Sequence, residues 1–155
     1  MSDRGYIGIT GFTSRGQIER ALKWLPVGRT LMVGQLATAK TLRGETKTNH
    51  AKRYPSCLDI ASAWVDDPLC LNLVHVAPES PGDLGAVKSA TRFGGRLCDG
   101  VQINVPWPDP EDIHAAVAFG CRRVVLQVRD YLSAPPGIVA RGVSSYRGVI
   151  TDILL

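Results

Sequence analysis

Gln102 and Asn104 stand two residues apart near the end of one apolar run, and Gln127 and Arg129 repeat that spacing near the end of the next. In an extended chain, residues two apart point to the same face, so each pair presents two polar groups in one direction. Thr10, Gln35 and His75 hold comparable places toward the ends of earlier runs. An amide buried without a partner costs about 1–3 kcal/mol, so these groups need a reason to be there. A shared polar pocket at one end of a sheet would satisfy them together. The alternative is that the Gln and Asn side chains bond only to neighbouring strand ends. His75 taken alone reads as an ordinary strand-end histidine, and Arg129 either pairs with Asp130 or holds a phosphate.

A second feature is electrostatic. Lys40, Arg43, Lys47, Lys52 and Arg53 face a single acid, Glu45, so residues 40–53 carry the whole net charge of +4. A segment of this kind attracts phosphate or another anion, or is simply a solvated loop. It carries no interleaved aromatics and no nucleic-acid motif, so nucleic acid is not an expected partner. Lys40 and Arg43 join the candidate ligand-binding residues.

These side chains need a scaffold, and the apolar runs supply it. Tyr6–Ile9, Leu31–Leu36, Leu69–Val76, Val101–Val105, Arg123–Val128 and Val149–Leu155 read as six strands. Helical spacing lies between most of them. Ile18, Ala21, Leu22 and Leu25 follow a capping-box pair at Ser14 and Gln17, and Pro26 ends that helix. Ser56 and Asp59 form a second such pair. Pro81-Gly82-Asp83 opens a further helix, and Asp109-Pro110 opens one that Gly120 closes. The stretch around Pro135-Pro136-Gly137 reads as a loop with a short helix. Strands alternating with helices mean a parallel α/β sheet. Six βα units make a TIM-barrel-like (β/α) fold that lacks strands 7 and 8.

The 155 residues fit one domain, and 45% hydrophobic with 21% charged residues excludes a disordered chain. No apolar run approaches the ~18 residues of a membrane span and no signal peptide is evident, so a cytoplasmic protein is expected. Cys57, Cys70, Cys98 and Cys121 show no CxxC pair and read as reduced, mostly buried thiols. His50, His75 and His114 have no ligand-like spacing, and no metal site is expected. Gly8, Gly11 and Gly16 do not form a dinucleotide fingerprint and there is no P-loop, so no cofactor is expected. An open Rossmann-like sheet with a reversed strand order stays as a minor alternative.

Two segments carry a family resemblance. Ile7-Gly8-Ile9-Thr10 looks like the first-strand Cys-Gly-Ile-Thr motif of phosphoribosylanthranilate isomerases, and Asp99-Gly100-Val101-Gln102-Ile103-Asn104 resembles that family's fourth-strand Asp-x-Val-Gln-Leu-His. Strand order and spacing agree over nearly the whole chain. The resemblance implies a divergent branch of these (β/α) barrels. It also implies an Amadori-type isomerisation with a first-strand cysteine as base and a sixth-strand aspartate as acid. Here Ile7 stands at the cysteine position and Asn104 at the histidine position. The acid would fall immediately after Leu155, and Asp152 lies four residues earlier, about 13 Å lower along the strand.

The resulting expectation is a phosphoribosylanthranilate isomerase-like protein that binds a small phosphorylated or anionic metabolite. No catalytic residue is identifiable and the chain as given is expected to be inactive. If active, it would be an isomerase or lyase using general acid–base chemistry on a sugar-phosphate-like substrate. The alternative is a non-catalytic binding or assembly protein. Its open barrel edges, an association hazard when unpaired, would be completed by a partner or by a second copy in a homo-oligomer.

Overall fold

The computed structural model describes residues 5–43, 45, 56–77, 85, 89, 97–104, 107–118, 120–127 and 133–154. Six strands are present: β1 (Tyr6–Thr10), β2 (Thr30–Thr38), β3 (Cys70–Ala77), β4 (Gly100–Ile103), β5 (Arg123–Gln127) and β6 (Asp152–Leu154). All neighbours pair in parallel, in the order β1-β2-β3-β4-β5-β6. Each crossover therefore steps one strand in the same direction. Right-handed connections then place every helix on one side of the sheet, and a Rossmann-like reversal of strand order does not occur.

The helices are α1 (Arg15–Lys23), α2 (Ala39–Leu42), α3 (Cys57–Ala63), α4 (Pro110–Ala118) and α5 (Pro136–Ser144). Ile18 of α1 packs on Leu31, Val33 and Cys70. Ile60 and Trp64, at and just after α3, join Ile113 and Ala116 of α4 against Ala37, Val74, Val76, Val101, Ile103, Val124 and Leu126. Those strand residues all share one parity, which defines the helix-covered face.

The other parity forms a second, smaller cluster in which Met32, Leu73 and Val125 pack with Tyr6 and Leu71. In a flat sheet β2 and β5 would lie about 14 Å apart and β1 and β6 about 24 Å apart, at ~4.8 Å per strand. The Tyr6 phenol nevertheless interacts directly with Asp152. The sheet is curled into a half-barrel, with this second face on its concave side. Among the described residues β1 and β6 each pair with one neighbour only.

Local signals act as expected in some places and differently in others. Ser56 and Asp59 make the complete capping box of α3, and Asp109 caps α4 through Oδ1, which accepts from the Glu111 N–H at 2.8 Å. Ser14 occupies the N-cap of α1 without a side-chain bond. Gln17 reaches instead to Thr13, accepting from its N–H at 2.8 Å. The short helix expected around Pro135-Pro136-Gly137 is present as the nine residues of α5, and β6 is confined to Asp152–Leu154. Residues 145–149 turn instead of extending, and Gly148 there has φ +81°. The helix expected from Pro81 lies outside the described residues, apart from Gly85 and Ser89.

Candidate ligand-binding face

Strand alternation sorts the polar residues by face. Since Met32, Leu73 and Val125 are concave, Gly34, His75 and Gln127 are too, as is Gln102, the register partner of His75 and Val125. Asn104 continues β4 by donating its N–H to the Val76 carbonyl at 2.7 Å, which keeps it in phase. Thr10 pairs in register with Gly34. Thus Thr10, His75, Gln102, Asn104 and Gln127 meet on the concave face at the C-terminal ends of their strands.

Gly34 makes this row continuous. A Cβ there would lie 2.7 Å from Thr10 Cγ2 and 3.6 Å from His75 Cβ. The missing side chain on β2 lets β1 and β3 groups converge over it. Gln102 is 3% exposed, and its Nε2 lies 3.1 Å from His75 Nε2. The buried Gln127 Oε1 has no hydrogen-bond partner.

The remaining candidates are placed differently. Gln35 is fully buried but belongs to the helix-covered face, opposite Val74, and both of its amide atoms lack a partner there. It is not brought to the polar row. The cause is β-strand parity: a position toward the end of a strand says nothing about which face it takes. Lys40 lies exposed on α2, directly after β2, and so at the C-terminal end of the sheet. Arg43, just past α2, is exposed and pairs with Glu45 at 3.2 Å. Lys47, Lys52, Arg53 and Arg129 lie outside the described residues.

The N-terminal rim holds groups that the sequence pattern did not single out as a cluster. Arg123 Nη1 lies 3.4 Å from both carboxylate oxygens of Asp152. Burial, reinforced by the Asp152 charge and hydrogen bond and opposed by Arg123, raises the Tyr6 phenol above its usual range. Asp99 accepts the Asn72 N–H at 2.8 Å through Oδ2, and its backbone carbonyl accepts from the Arg122 and Arg123 N–H groups. Asn72, 2% exposed, donates to the Val65 carbonyl at 2.8 Å. A cavity of about 620 Å³ opens beside these groups, lined by Asp66, Asp67, Leu71, Asp99, Arg122 and Thr151 among others.

Cys70, Cys98 and Cys121 sit at this same rim. Burial pushes Cys70 and Cys121 up to about 12 and Cys98 up to about 11, so none is a ready thiolate at neutral pH. Ile7 lies on the face opposite Tyr6 and Gly8, half-exposed. Asp152 is held by Arg123. Among the described residues no cluster of three or more His, Cys, Asp or Glu could hold a metal, and no helix is long and apolar enough to cross a membrane. Comparison with protein-family models, with curated proteins and with solved structures finds no match.

Proposed function

We propose that this half-barrel is a divergent relative of the phosphoribosylanthranilate isomerase-like (β/α) barrels and that its concave polar row binds a small anionic metabolite. The observation that carries the reading is the row itself: Thr10, His75, Gln102, Asn104 and Gln127 converge there, with one buried oxygen left unpartnered. Ligands of parallel (β/α) folds meet the C-terminal ends of the strands. Lys40 lies beyond that same end of β2 and supplies positive potential for a phosphate or carboxylate. Ile7, at the resemblance's base position, carries no proton, and Asp152 is ion-paired at the far rim. Binding without that family's isomerisation is the activity proposed.

The test is a thermal-shift and calorimetric screen with ribose phosphates, inorganic phosphate and anthranilate, followed by Gln102→Leu. Binding by the wild type and at least about a tenfold loss in the variant, equal to ~1.4 kcal/mol, with a smaller change in stability, supports the reading. Absence of binding by every anion removes it.

A second reading rests on the strand edges. Ile7 and Ile9 on β1 and Ile153 and Leu154 on β6 are 38–43% exposed, beside backbone groups that have no neighbouring strand among the described residues. Two copies pairing along these edges would cover both liabilities. Light scattering distinguishes the readings: a monomer across the micromolar range eliminates edge pairing.

A further inference from the structure

We propose that the turn between α1 and β2 is a membrane-docking tip that seats Trp24 and Val27 among the headgroups of an anionic lipid surface. The inference is independent of the concave face and of any metabolite bound there. Its first support is exposure. Trp24 is 87% and Val27 105% exposed, the two highest values among the large apolar side chains of the described residues. Single exposed apolar residues are common on protein surfaces, and Leu58 on α3 is one. Two of them within four residues, on a turn that the fold holds in place, need a further reason.

The turn is fixed from both sides. Leu22 and Leu25 pack inward against the cluster of Ile18, Leu31 and Val33. The Trp24 N–H donates to the Ala21 carbonyl and the Leu25 N–H to the Leu22 carbonyl, which closes α1. Pro26 to Arg29 then form a tight turn in which the Arg29 N–H donates to the Pro26 carbonyl at 3.1 Å. Gly28 takes the φ of +79° that the third position of such a turn requires. With Leu22 and Leu25 turned in, Trp24 and Val27 face solvent on a backbone that needs no ordering when they bind.

The chemistry around them selects the partner. Arg20 and Lys23 stand exposed in the last turn of α1, and Arg29 stands exposed at the end of the tight turn. The one acid in residues 19–29 is Glu19, so three cations outweigh a single carboxylate. The next connection of the same rim carries Asp66 and Asp67; the positive charge belongs to this turn and not to the rim as a whole. Tryptophan favours the boundary between headgroups and acyl chains, and each Lys or Arg near an anionic leaflet strengthens attachment. An acidic protein would have to carry a matching pocket for each apolar side chain, whereas a fluid headgroup layer needs no matching shape. Among the described residues no helix is long and apolar enough to cross a membrane, so the attachment is peripheral and reversible.

The test uses Trp24 as its own reporter. Trp64 is fully buried and Trp107 packs on the core cluster, so the solvent-facing indole is Trp24. Phosphatidylcholine vesicles containing about one-third phosphatidylserine are expected to shift its emission to shorter wavelength and to carry the protein down on sedimentation. Pure phosphatidylcholine vesicles should do neither. Val27→Asp leaves the reporter in place and should weaken partitioning at least about tenfold. Arg20→Gln/Lys23→Gln should weaken it by about tenfold at low salt, and added salt should weaken the wild type in the same direction. These positions are exposed, so circular dichroism and urea midpoints should stay at their wild-type values.

No shift and no sedimentation with the anionic vesicles overturns the proposal, as does equal binding to the neutral ones. The same shift with soluble glycerophosphoserine means a free-anion site, and a shift that grows with protein concentration in the absence of vesicles means that a second copy covers the turn. Either result overturns it. None of these readouts involves the concave face, so the binding screen and this test fail separately.

Discussion

The two rims of the same curled sheet spend their polar groups in opposite ways. At the N-terminal rim Asp99, Asn72, Arg123 and Asp152 bond to each other and to backbone, tying β3, β4, β5 and β6 together. At the C-terminal rim Gln127 keeps a buried oxygen without a partner, and Thr10 stays exposed on its strand end. Satisfied buried polar groups add rigidity, whereas an unsatisfied one costs about 1–3 kcal/mol and persists only where something offsets it. The contrast is what separates the proposed binding face from the largest described opening at the other rim. The 620 Å³ opening lies beside the N-terminal rim, where Asp99, Asn72, Arg123 and Asp152 are hydrogen-bonded.

Four measurements break or sharpen this contrast. The largest effect is expected on raising the pH. The unfolded thiols ionise near 9.0, but Cys98 in the folded chain is pushed up to about 11 and Cys70 and Cys121 to about 12. Folding holds these protons, so their contribution to stability is fully present below pH ~9 and is lost between ~9 and ~12. The raised phenol of Tyr6 acts with the same sign. Urea midpoints at pH 7 and pH 11 should differ strongly in the wild type, and a Cys70→Ala/Cys98→Ala/Cys121→Ala variant should narrow the difference. An equal drop in both proteins removes the thiols as the cause.

Next in size is Gly100→Ala, whose Cβ would lie 1.9 Å from the Arg123 carbonyl oxygen. Backbone cannot swing aside as a side chain can, so a loss of about 3 kcal/mol is expected in urea denaturation at pH 7. Asp99→Ala should cost about 2 kcal/mol, because it leaves the Asn72 N–H without its charged acceptor. Both variants should retain ligand affinity in the folded fraction; a selective loss of binding would move the site to the N-terminal rim. The smallest expected change in stability is for Gln127→Leu, within about 1 kcal/mol of wild type. Its ligand affinity should fall, and a large destabilisation without that fall would make Gln127 a structural residue.

The resemblance to phosphoribosylanthranilate isomerases divides along the same line. Asp99 and Gly100 of the fourth-strand segment serve the fold, one as a staple between β3, β4 and β5 and the other through close backbone approach. Gln102 and Asn104 of that segment face the concave row. A short segment can thus combine two duties, one toward the packing of the strands and one toward the concave face.

Much of the architecture was legible because its causes are local. Apolar runs separated by helical spacing predict the six strands, and Ser56 with Asp59 and Asp109 with Pro110 predict helix starts within a residue or so. Gln102 and Asn104 sharing a face followed from the two-residue period. The period could not say which face Gln35 takes, and an end-of-strand position misdirected it toward the polar row. Nothing local announced that Tyr6 would meet Asp152 from the opposite end of the chain, or that Asp152 would be spent on Arg123.

By itself the sequence determined strand and helix alternation, the parallel class and the set of polar residues available, since these depend on side-chain period and on caps a few residues long. The tertiary structure alone decided the curl, the face of each strand and the pairing of Gln102 with His75. Those outcomes depend on register between distant strands and on which side the helices cover. In such a sheet a shift of one residue exchanges the two faces.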